Sequence, residues 1–234
     1  MKPVFTRLAL AALLAAAAAA PAHADADLVA LRAAADTTLT EHGGLGGASA
    51  VLGDQPTLWT VYPAGYRSFA LMRFDFGAFA GRTAAADAVL ELHLTGWAHD
   101  QWMLFRVAQA LSPWSEATTS YSGYGNGYGS ELSERLVDAS ALPTGAVVRF
   151  DVPRATVQSW LDDPAAHHGL ALVPNSGRDL WFASREHVPD GGVAGDWAPT
   201  LVLSLQPVPE PATWALLAGG LLAVGRLARR RPAD

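Results

Sequence analysis

Cysteine is absent from this 234-residue chain, and lysine occurs once, at Lys2. Without cysteine the protein has no disulfide framework, no thiolate metal site and no cysteine nucleophile. Several enzyme signatures are missing too: there is no His-Glu-x-x-His, no Gly-x-Ser-x-Gly and no phosphate-binding loop with its lysine. We therefore predict that the protein is not an enzyme, and that its fold is held by an apolar core to which an oxygen-ligated metal could add.

Positive charge is scarce between residues 25 and 206. This stretch carries 20 Asp and Glu residues against ten arginines, which is a net charge of −10. Such a surface repels phosphate backbones, so we predict no nucleic-acid partner. It is compatible with neutral sugars, or with cations that bridge to acidic polymers. The stretch is long enough for one sizeable core, and we predict a single domain over residues 25–206.

The N-terminus has the three parts of a secretory signal peptide. Lys2 and Arg7 supply positive charge, Leu8 to Ala20 is an unbroken apolar run, and Ala22-His23-Ala24 is a small-x-small cleavage pattern. The alternative is an N-terminal membrane helix, but the apolar run is short and ends in the cleavage pattern. We predict that residues 1–24 form a signal helix, use the export translocase and are removed by signal peptidase.

The C-terminus, residues 207–234, combines a proline-rich segment, an apolar run and a basic end. Pro209 and Pro211 favour an extended backbone that can lie in a groove as a ligand. The apolar run from Ala212 to Gly225 is shorter than the ~20 residues of a comfortable bilayer span. Arginines after such a run hold that end in the cytoplasm. The sorting residues predicted here are Val208, Pro209, Glu210, Pro211, Arg229, Arg230 and Arg231.

This tail resembles the PEP-CTERM sorting signal, which exosortases recognise and process at the cell envelope. The resemblance implies an exosortase-type partner, a C-terminal hydrophobic helix that inserts transiently into the membrane, and a final location at the cell surface. A plain C-terminal membrane anchor is the alternative.

Short segments of alternating apolar and polar residues dominate the region between the two ends. Alternation of period two is typical of half-buried strands, and Val89–Thr95 is the clearest case. The predicted helix begins at Pro153 and ends at Asp162-Asp163-Pro164, with Val157, Trp160 and Leu161 on one face. Many short strands with one helix favour an all-β sandwich or jelly roll. The other predicted strands are Val29–Leu39, Leu58–Val61, Phe69–Phe76, Trp102–Val107, Ala146–Val152, Gly169–Val173, Leu180–Ala183 and Leu201–Leu205.

Several motifs in this region resemble the DNRLRE-type domains of secreted bacterial proteins. They include Ala35-Asp36-Thr37, Arg73-Phe74-Asp75-Phe76, Trp114-Ser115-Glu116-Ala117-Thr118-Thr119 and Ser184-Arg185-Glu186. The resemblance implies a jelly-roll β-sandwich of the carbohydrate-binding-module kind. It also implies an association with extracellular polysaccharide, as in a biofilm matrix.

Aromatic residues are the candidates for contact with sugar, because Trp and Tyr rings pack against the C–H faces of pyranoses and tolerate water at their edges. A glycine-rich loop displays Tyr121, Tyr124 and Tyr128, and Trp97 occupies a predicted turn. The alternative for the loop is a flexible connection whose rings lie on the sheet. A lyase that uses Tyr124 or Tyr128 with His99 is a further alternative, although nothing in the sequence fixes their geometry.

Carboxylates are the only plentiful metal ligands in the chain. No cofactor is certain, but Asp36, Glu41, Asp75 and Glu116 are candidate ligands for a structural calcium ion, which takes six to eight oxygens. The function predicted from all of these features is a surface or matrix protein, exported and sorted by an exosortase, with a non-catalytic carbohydrate-binding domain. The main alternative is a structural or adhesive matrix protein without a defined sugar.

Overall fold

A computed structural model describes residues 26–62, 65–208 and 218–222, and the side chains of residues 98–101 fall outside the description. The predicted signal peptide, the side chain of His99, and the sorting residues other than Val208 therefore lie outside the described residues. Residues 218–222 are helical. Within the described residues, no helix is both long and apolar enough to cross a membrane. The predicted hydrophobic tail helix is thus seen only over those five residues.

Residues Asp27–Gln206 form one compact unit. The described residues of this unit form nine strands, and these pair only in the antiparallel sense. Two short helices, α1 (Tyr121–Tyr124) and α2 (Arg154–Asp162), connect some of them. The strands are β1 (Asp27–Arg32), β2 (Ala35–Thr40), β3 (Thr57–Val61), β4 (Ser68–Arg73), β5 (Ala88–Ala110), β6 (Tyr128–Asp138), β7 (Val147–Val152), β8 (Leu170–Ala183) and β9 (Thr200–Leu205).

The 23-residue strand β5 is central to the sheet, because it pairs with four other strands. Its first part, Ala88 to His93, pairs with β7 and β9. Its second part, from Leu94 to Ala110, pairs with β8 and β6 through several register shifts. Register shifts increase local twist, so one continuous sheet curls around its own inner face. The sequence predicted two separate strands here, Val89–Thr95 and Trp102–Val107, with a turn at Trp97. The predicted turn is wrong, because Trp97 continues β5 and pairs with Leu180 of β8.

The main core lies on the inner face of this curled sheet. Alternate residues of β5, such as Leu90, Leu92 and Leu94, are fully buried there. Phe105 of β5 contacts Phe150 of β7 and Phe182 of β8 edge-to-face, each at 5.7 Å between ring centroids. Both parts of β5 and the strands beside them thus bury their apolar side chains in a single core.

A second, smaller apolar cluster covers the other face of β4. Strand β4 alternates as predicted, with Ala70 and Met72 in the main core, but Phe69 and Leu71 are buried as well, in the second cluster. Trp114 and the three tyrosines of the glycine-rich loop pack over these residues. The glycine-rich loop therefore covers this face of the sheet.

The helix predicted from Pro153 is confirmed as α2, with Val157, Trp160 and Leu161 buried against the main core. Strand β6 was missed because six of its eleven residues are exposed and one, Val137, is buried. It pairs only with β5 and so needs few apolar residues. The all-β class is confirmed. The strands pair as one curled antiparallel sheet. The division into the two sheets of a jelly-roll sandwich stays a prediction.

Candidate functional site

Three acidic residues from distant parts of the chain meet at one end of β2. Asp36 is the second residue of β2, Glu116 lies in the loop after β5, and Glu186 lies in the turn after β8. One carboxylate oxygen from each of them lies within 4.8 Å of the others. We refer to Asp36, Glu116 and Glu186 as the acidic cluster.

Backbone and guanidinium groups hold the acidic cluster in place. The Asp36 amide donates to Glu116 Oε1 at 2.8 Å, and the Arg185 amide donates to Asp36 Oδ2 at 2.8 Å. Arg185 Nε lies 2.6 Å from Glu186 Oε1 and 3.6 Å from Glu116 Oε1. The guanidinium also donates to the carbonyl oxygen of Ala34 at 2.5 Å. One arginine thus contacts two of the three carboxylates.

Two oxygens of the cluster remain without partners. Asp36 is only 1% exposed, yet its Oδ1 has no hydrogen-bond partner among the described residues, and the same holds for the buried Glu186 Oε2. The pKa of Asp36 is raised to about 8, chiefly by burial and also by the charges of Glu186 and Glu116, although the hydrogen bond from the Arg185 amide and the Arg185 charge act to lower it. An unsatisfied buried carboxylate is costly, so this geometry calls for a proton or a cation.

A cavity of about 390 Å³ adjoins the acidic cluster. Glu116 and Glu186 line it together with Val51, Gly53 and Asp54. Gly53 packs directly on Glu116: a β-carbon built at Gly53 would lie 2.5 Å from Glu116 Cγ and even closer to the Glu116 carbonyl oxygen. The absence of a side chain at Gly53 lets this loop approach the cluster. Chemically, the arrangement offers oxygen ligands, which suit hard cations.

The structure brings together two of the four predicted metal ligands, Asp36 and Glu116. It places the other two elsewhere: Asp75 Oδ1 accepts from the Gly77 amide at 2.8 Å, and Glu41 interacts with Tyr121. Those two predicted ligands are outside the cluster. The sequence prediction missed Glu186, although Ser184-Arg185-Glu186 was already among the motifs. The signal available was that three of the motifs each contain one carboxylate that ends up in the cluster.

The tyrosines predicted to contact sugar lie on the sheet. Phe69 contacts Tyr121 and Tyr128 edge-to-face, at 6.1 Å and 5.2 Å between ring centroids. Tyr124 donates its hydroxyl to the carbonyl oxygen of Gly127 at 2.7 Å. Burial, followed by the hydrogen bond with Glu41, raises the pKa of Tyr121 to about 12. The loop thus adopts the alternative arrangement, and its binding of sugar stays a prediction.

Trp97, the fourth candidate for sugar contact, is half-buried and packs against the main core. The other tryptophans considered, Trp102, Trp114, Trp160 and Trp181, are predicted from the sequence to be interior because they lie in strand, strand-end or helix patterns. This is confirmed for Trp114 and Trp160. The interior position predicted for Trp102 is wrong, because its side chain is 44% exposed on β5. Trp181, also predicted to be interior, is half-buried and lines a cleft.

Two tryptophans form the wall of this cleft. Trp59 of β3 and Trp181 of β8 are directly opposite each other across the strand pair, with ring centroids 4.6 Å apart. Together with His42 and Asp179 they line a cavity of about 190 Å³, which we call the tryptophan cleft. Trp181 Nε1 is buried and has no hydrogen-bond partner within the described part of the chain. Gly96 allows this arrangement, since a β-carbon there would lie 3.0 Å from the Trp181 ring.

Comparison with known proteins identifies the tail. Residues 207–231 match the PEP-CTERM protein-sorting motif. The motif marks the chain as an exported protein that an exosortase-type enzyme processes and that associates with the cell envelope. No curated protein matches the chain. No family match supports the DNRLRE-type resemblance.

Proposed function

We propose that the domain Asp27–Gln206 is a non-catalytic carbohydrate-binding module that an exosortase-sorted protein carries to the extracellular polysaccharide. The observation that supports this role best is the tryptophan cleft. Two adjacent indole rings present apolar faces to a concave site, and aromatic faces pack well against the C–H faces of sugars. Trp181 Nε1 supplies a buried donor without a partner among the described groups, which a sugar hydroxyl or ring oxygen would satisfy.

The charge of the domain narrows the class of sugar. With a net charge of −10 over residues 25–206, the domain repels polyanions, and Asp179 lies at the cleft itself. A carboxylate beside aromatic rings accepts hydrogen bonds from neutral hydroxyls. Neutral hexose polymers are therefore the substrate class that we propose for the cleft.

Affinity electrophoresis of the full-length protein in gels that contain neutral polysaccharides tests this proposal. We expect the wild type to be retarded, and Trp59→Ala or Trp181→Ala to weaken the retardation at least about ten-fold, because each removes one stacking face. Trp102→Ala is the matched control: it removes an equally large, more exposed indole that does not line the cleft. Equal retardation of Trp181→Ala and the wild type would rule out the tryptophan cleft as the sugar-binding site. Loss of retardation in Tyr124→Ala or Tyr128→Ala would instead assign sugar binding to the glycine-rich loop.

A structural or adhesive role is the second candidate, and an exposed apolar patch favours it. Trp102 and Leu136 are exposed on β5 and β6, where Leu104 and Leu136 are directly opposite each other. Such a patch beside a strand that pairs on one side only is suited to contact with a second protein. If no polysaccharide retards the wild type while Trp102→Ala abolishes its self-association, the adhesive role replaces the sugar-binding role. Unsaturated products from uronic-acid polymers, detected by ultraviolet absorbance, would instead establish a lyase.

For the sorting step, we propose removal of residues 1–24 by signal peptidase after translocation, followed by transient insertion of the tail into the membrane and exosortase processing. Gln206 ends the compact unit, so truncation after Gln206 should leave the thermal stability unchanged and abolish surface delivery. Thermal melting of each form measures the first effect, and fractionation of cells that express it measures the second. Within the full chain, Glu210→Ala tests the motif and Thr213→Ala is its neighbouring control. Normal surface delivery of the truncated form would contradict the sorting role.

We also propose that the curled sheet is a DNRLRE-type jelly roll. The support is that the segments around Asp36, Glu116 and Glu186, which carry three of the motifs, converge at one point of the fold. An experimental structure in which the strands beside the first and second parts of β5 do not form two facing layers would contradict this assignment.

A further inference from the structure

We propose that the acidic cluster is a binding site for a hard divalent cation, and that Ca²⁺ is the ion that its geometry fits. The three ligands would be Asp36, Glu116 and Glu186. The site does not depend on the tryptophan cleft or on sugar binding, because the residues that line the two cavities are different.

The first support is the pair of orphaned oxygens. Asp36 is 99% removed from solvent and leaves Oδ1 unpaired, and Glu186 leaves Oε2 unpaired, as far as the described residues show. Buried polar atoms are nearly always satisfied in native proteins, so two such atoms within one group of carboxylates require an explanation. A cation placed between the carboxylates would satisfy both atoms at once.

The second support is the spacing of the carboxylates. Calcium binds oxygens at about 2.3–2.6 Å, so ligands on opposite sides of the ion lie about 4.6–5.2 Å apart. The ligand oxygens of the acidic cluster lie within 4.8 Å of one another, inside this limit. Magnesium, with bonds of about 2.0–2.1 Å and a strict octahedron, holds opposite ligands only about 4.2 Å apart. Calcium tolerates the irregular arrangement better.

The third support is the balance of charge around the site. Arg185 is the cation already present, and it is bound to Glu186 Oε1 and near Glu116 Oε1. Arg185 does not contact Asp36 Oδ1 or Glu186 Oε2, which have no hydrogen-bond partner among the described residues. With Asp36 ionised, as binding of an ion requires, three carboxylates and one guanidinium have a net charge of −2, and Asp54 adds a further carboxylate at the cavity. A divalent cation would neutralise that remainder.

The cavity has room for the further oxygen ligands that three carboxylates alone do not provide. Calcium takes six to eight oxygens, and a cavity of about 390 Å³ lined by Glu116 and Glu186 has room for several water ligands. Its opening also provides an entry path for the ion. Because Asp36 and Glu116 are 80 residues apart and come from different segments, the bound ion would tie these segments together.

Calcium titration of the full-length protein in mild detergent, after removal of metal with EGTA, tests the proposal. We expect one calorimetric site per chain, and a rise in Tm of about 5–10 °C when Ca²⁺ exceeds its Kd about 100-fold. Asp36→Asn and Glu186→Gln should weaken binding at least about ten-fold. Asp75→Asn, which changes a predicted ligand outside the cluster, is the matched control and should bind as the wild type does.

The outcomes separate a cation site from a purely structural cluster. If Asp36→Asn does not fold, Glu186→Gln still tests the site, because that side chain is 26% exposed and its loss is tolerable. Binding of Ca²⁺ by Glu186→Gln with wild-type affinity overturns the proposal. The proposal is also overturned if the Tm of the wild type does not change with Ca²⁺ up to about 10 mM, which is about ten-fold above the Kd of the weakest extracellular calcium sites. Equal affinity for Mg²⁺ overturns the assignment of calcium.

Discussion

Asp36 and His167 are both buried ionisable side chains, and each has one polar atom without a partner among the described residues. Burial shifts both pKa values toward the neutral form: Asp36 rises to about 8 and His167 falls to about 4. Their surroundings differ. Asp36 faces Glu116 and Glu186 beside a cavity, whereas His167 packs against Phe76 and Trp160.

A buried polar atom without a partner indicates a ligand site only when its neighbours offer further ligand atoms of the same kind. The ring of His167 lies 4.5 Å from that of Trp160 and 4.9 Å, edge-to-face, from that of Phe76. Its Nδ1 accepts from the Gly169 amide, so the neutral ring carries its proton on Nε2. A neutral N–H among aromatic rings costs little, since ring faces accept weakly. His167 is a core residue, whereas the acidic cluster is the site that we propose for a cation.

The largest effect that we expect is a fall in the free energy of unfolding at acidic pH, caused by protonation of His167. Its pKa is lowered chiefly by burial and then by the positive charges of His168 and Arg73, and an interaction with the Phe74 backbone offsets part of this lowering. A lowered pKa in the folded state means that the stability is fully present above pH 6.5 and is lost as the pH falls through about 4. This loss amounts to about 3 kcal/mol between pH 7 and pH 4. Because the raised pKa of Asp36 acts in the opposite direction over this range, the contribution of His167 is measured as the difference between the wild type and a His167 variant in urea unfolding at a series of pH values.

His167→Gln removes the titration and keeps an acceptor for the Gly169 amide. Its free energy of unfolding should therefore fall less between pH 7 and pH 4 than that of the wild type, by about 3 kcal/mol. His168→Gln, a change at the neighbouring half-exposed ring, is the control and should retain most of the wild-type slope. Identical slopes for His167→Gln and the wild type would show that His167 is charged or exposed in the folded protein.

The next effect concerns the support of the acidic cluster. Gly53→Ala places a methyl group against Glu116 Cγ and its backbone, which must shift. Overpacking of this kind costs about 1–3 kcal/mol, and displacement of Glu116 should also weaken the calcium response. Gly43→Ala, where a β-carbon meets no atom within 4 Å, is the control and should change stability by less than about 0.5 kcal/mol. Unfolding in urea with and without Ca²⁺ compares the two, and equal calcium responses would count against the role of Gly53.

The smallest effect is expected at an exposed ion pair, where burial does not act. Arg149 Nε lies 2.8 Å from Glu91 Oε1 across β7 and β5, and the Arg149 side chain is 58% exposed. Water and salt screen such a pair, so Arg149→Gln should cost less than about 0.5 kcal/mol, and still less at high ionic strength. Unfolding at low and high salt measures this cost. A loss comparable to that at Gly53 would show that charge, rather than burial, decides stability here.

The positions of most strands and of the helix could be predicted, because side-chain periodicity is a local property of the sequence. Val147–Val152 and Thr200–Leu205 alternate, and the spacing of Val157, Trp160 and Leu161 specifies a helix face. Strand β6 could not be found from periodicity, because an edge strand needs little apolar surface. Of the four predicted metal ligands, Asp36 and Glu116 meet in the acidic cluster, but the sequence around them did not distinguish them from Glu41 and Asp75.

The all-β class, the acidic and cysteine-free character of the domain, and the sorting motif in the tail could all be read from the amino-acid sequence. These features depend on composition or on neighbouring residues. Only the tertiary structure decided that Asp36 meets Glu116 and Glu186, that Trp59 faces Trp181, and that the tyrosines lie on Phe69. The physical reason is that such contacts depend on strand register and on the curl of the sheet around β5. These are set by the packing of the whole core rather than by any local pattern.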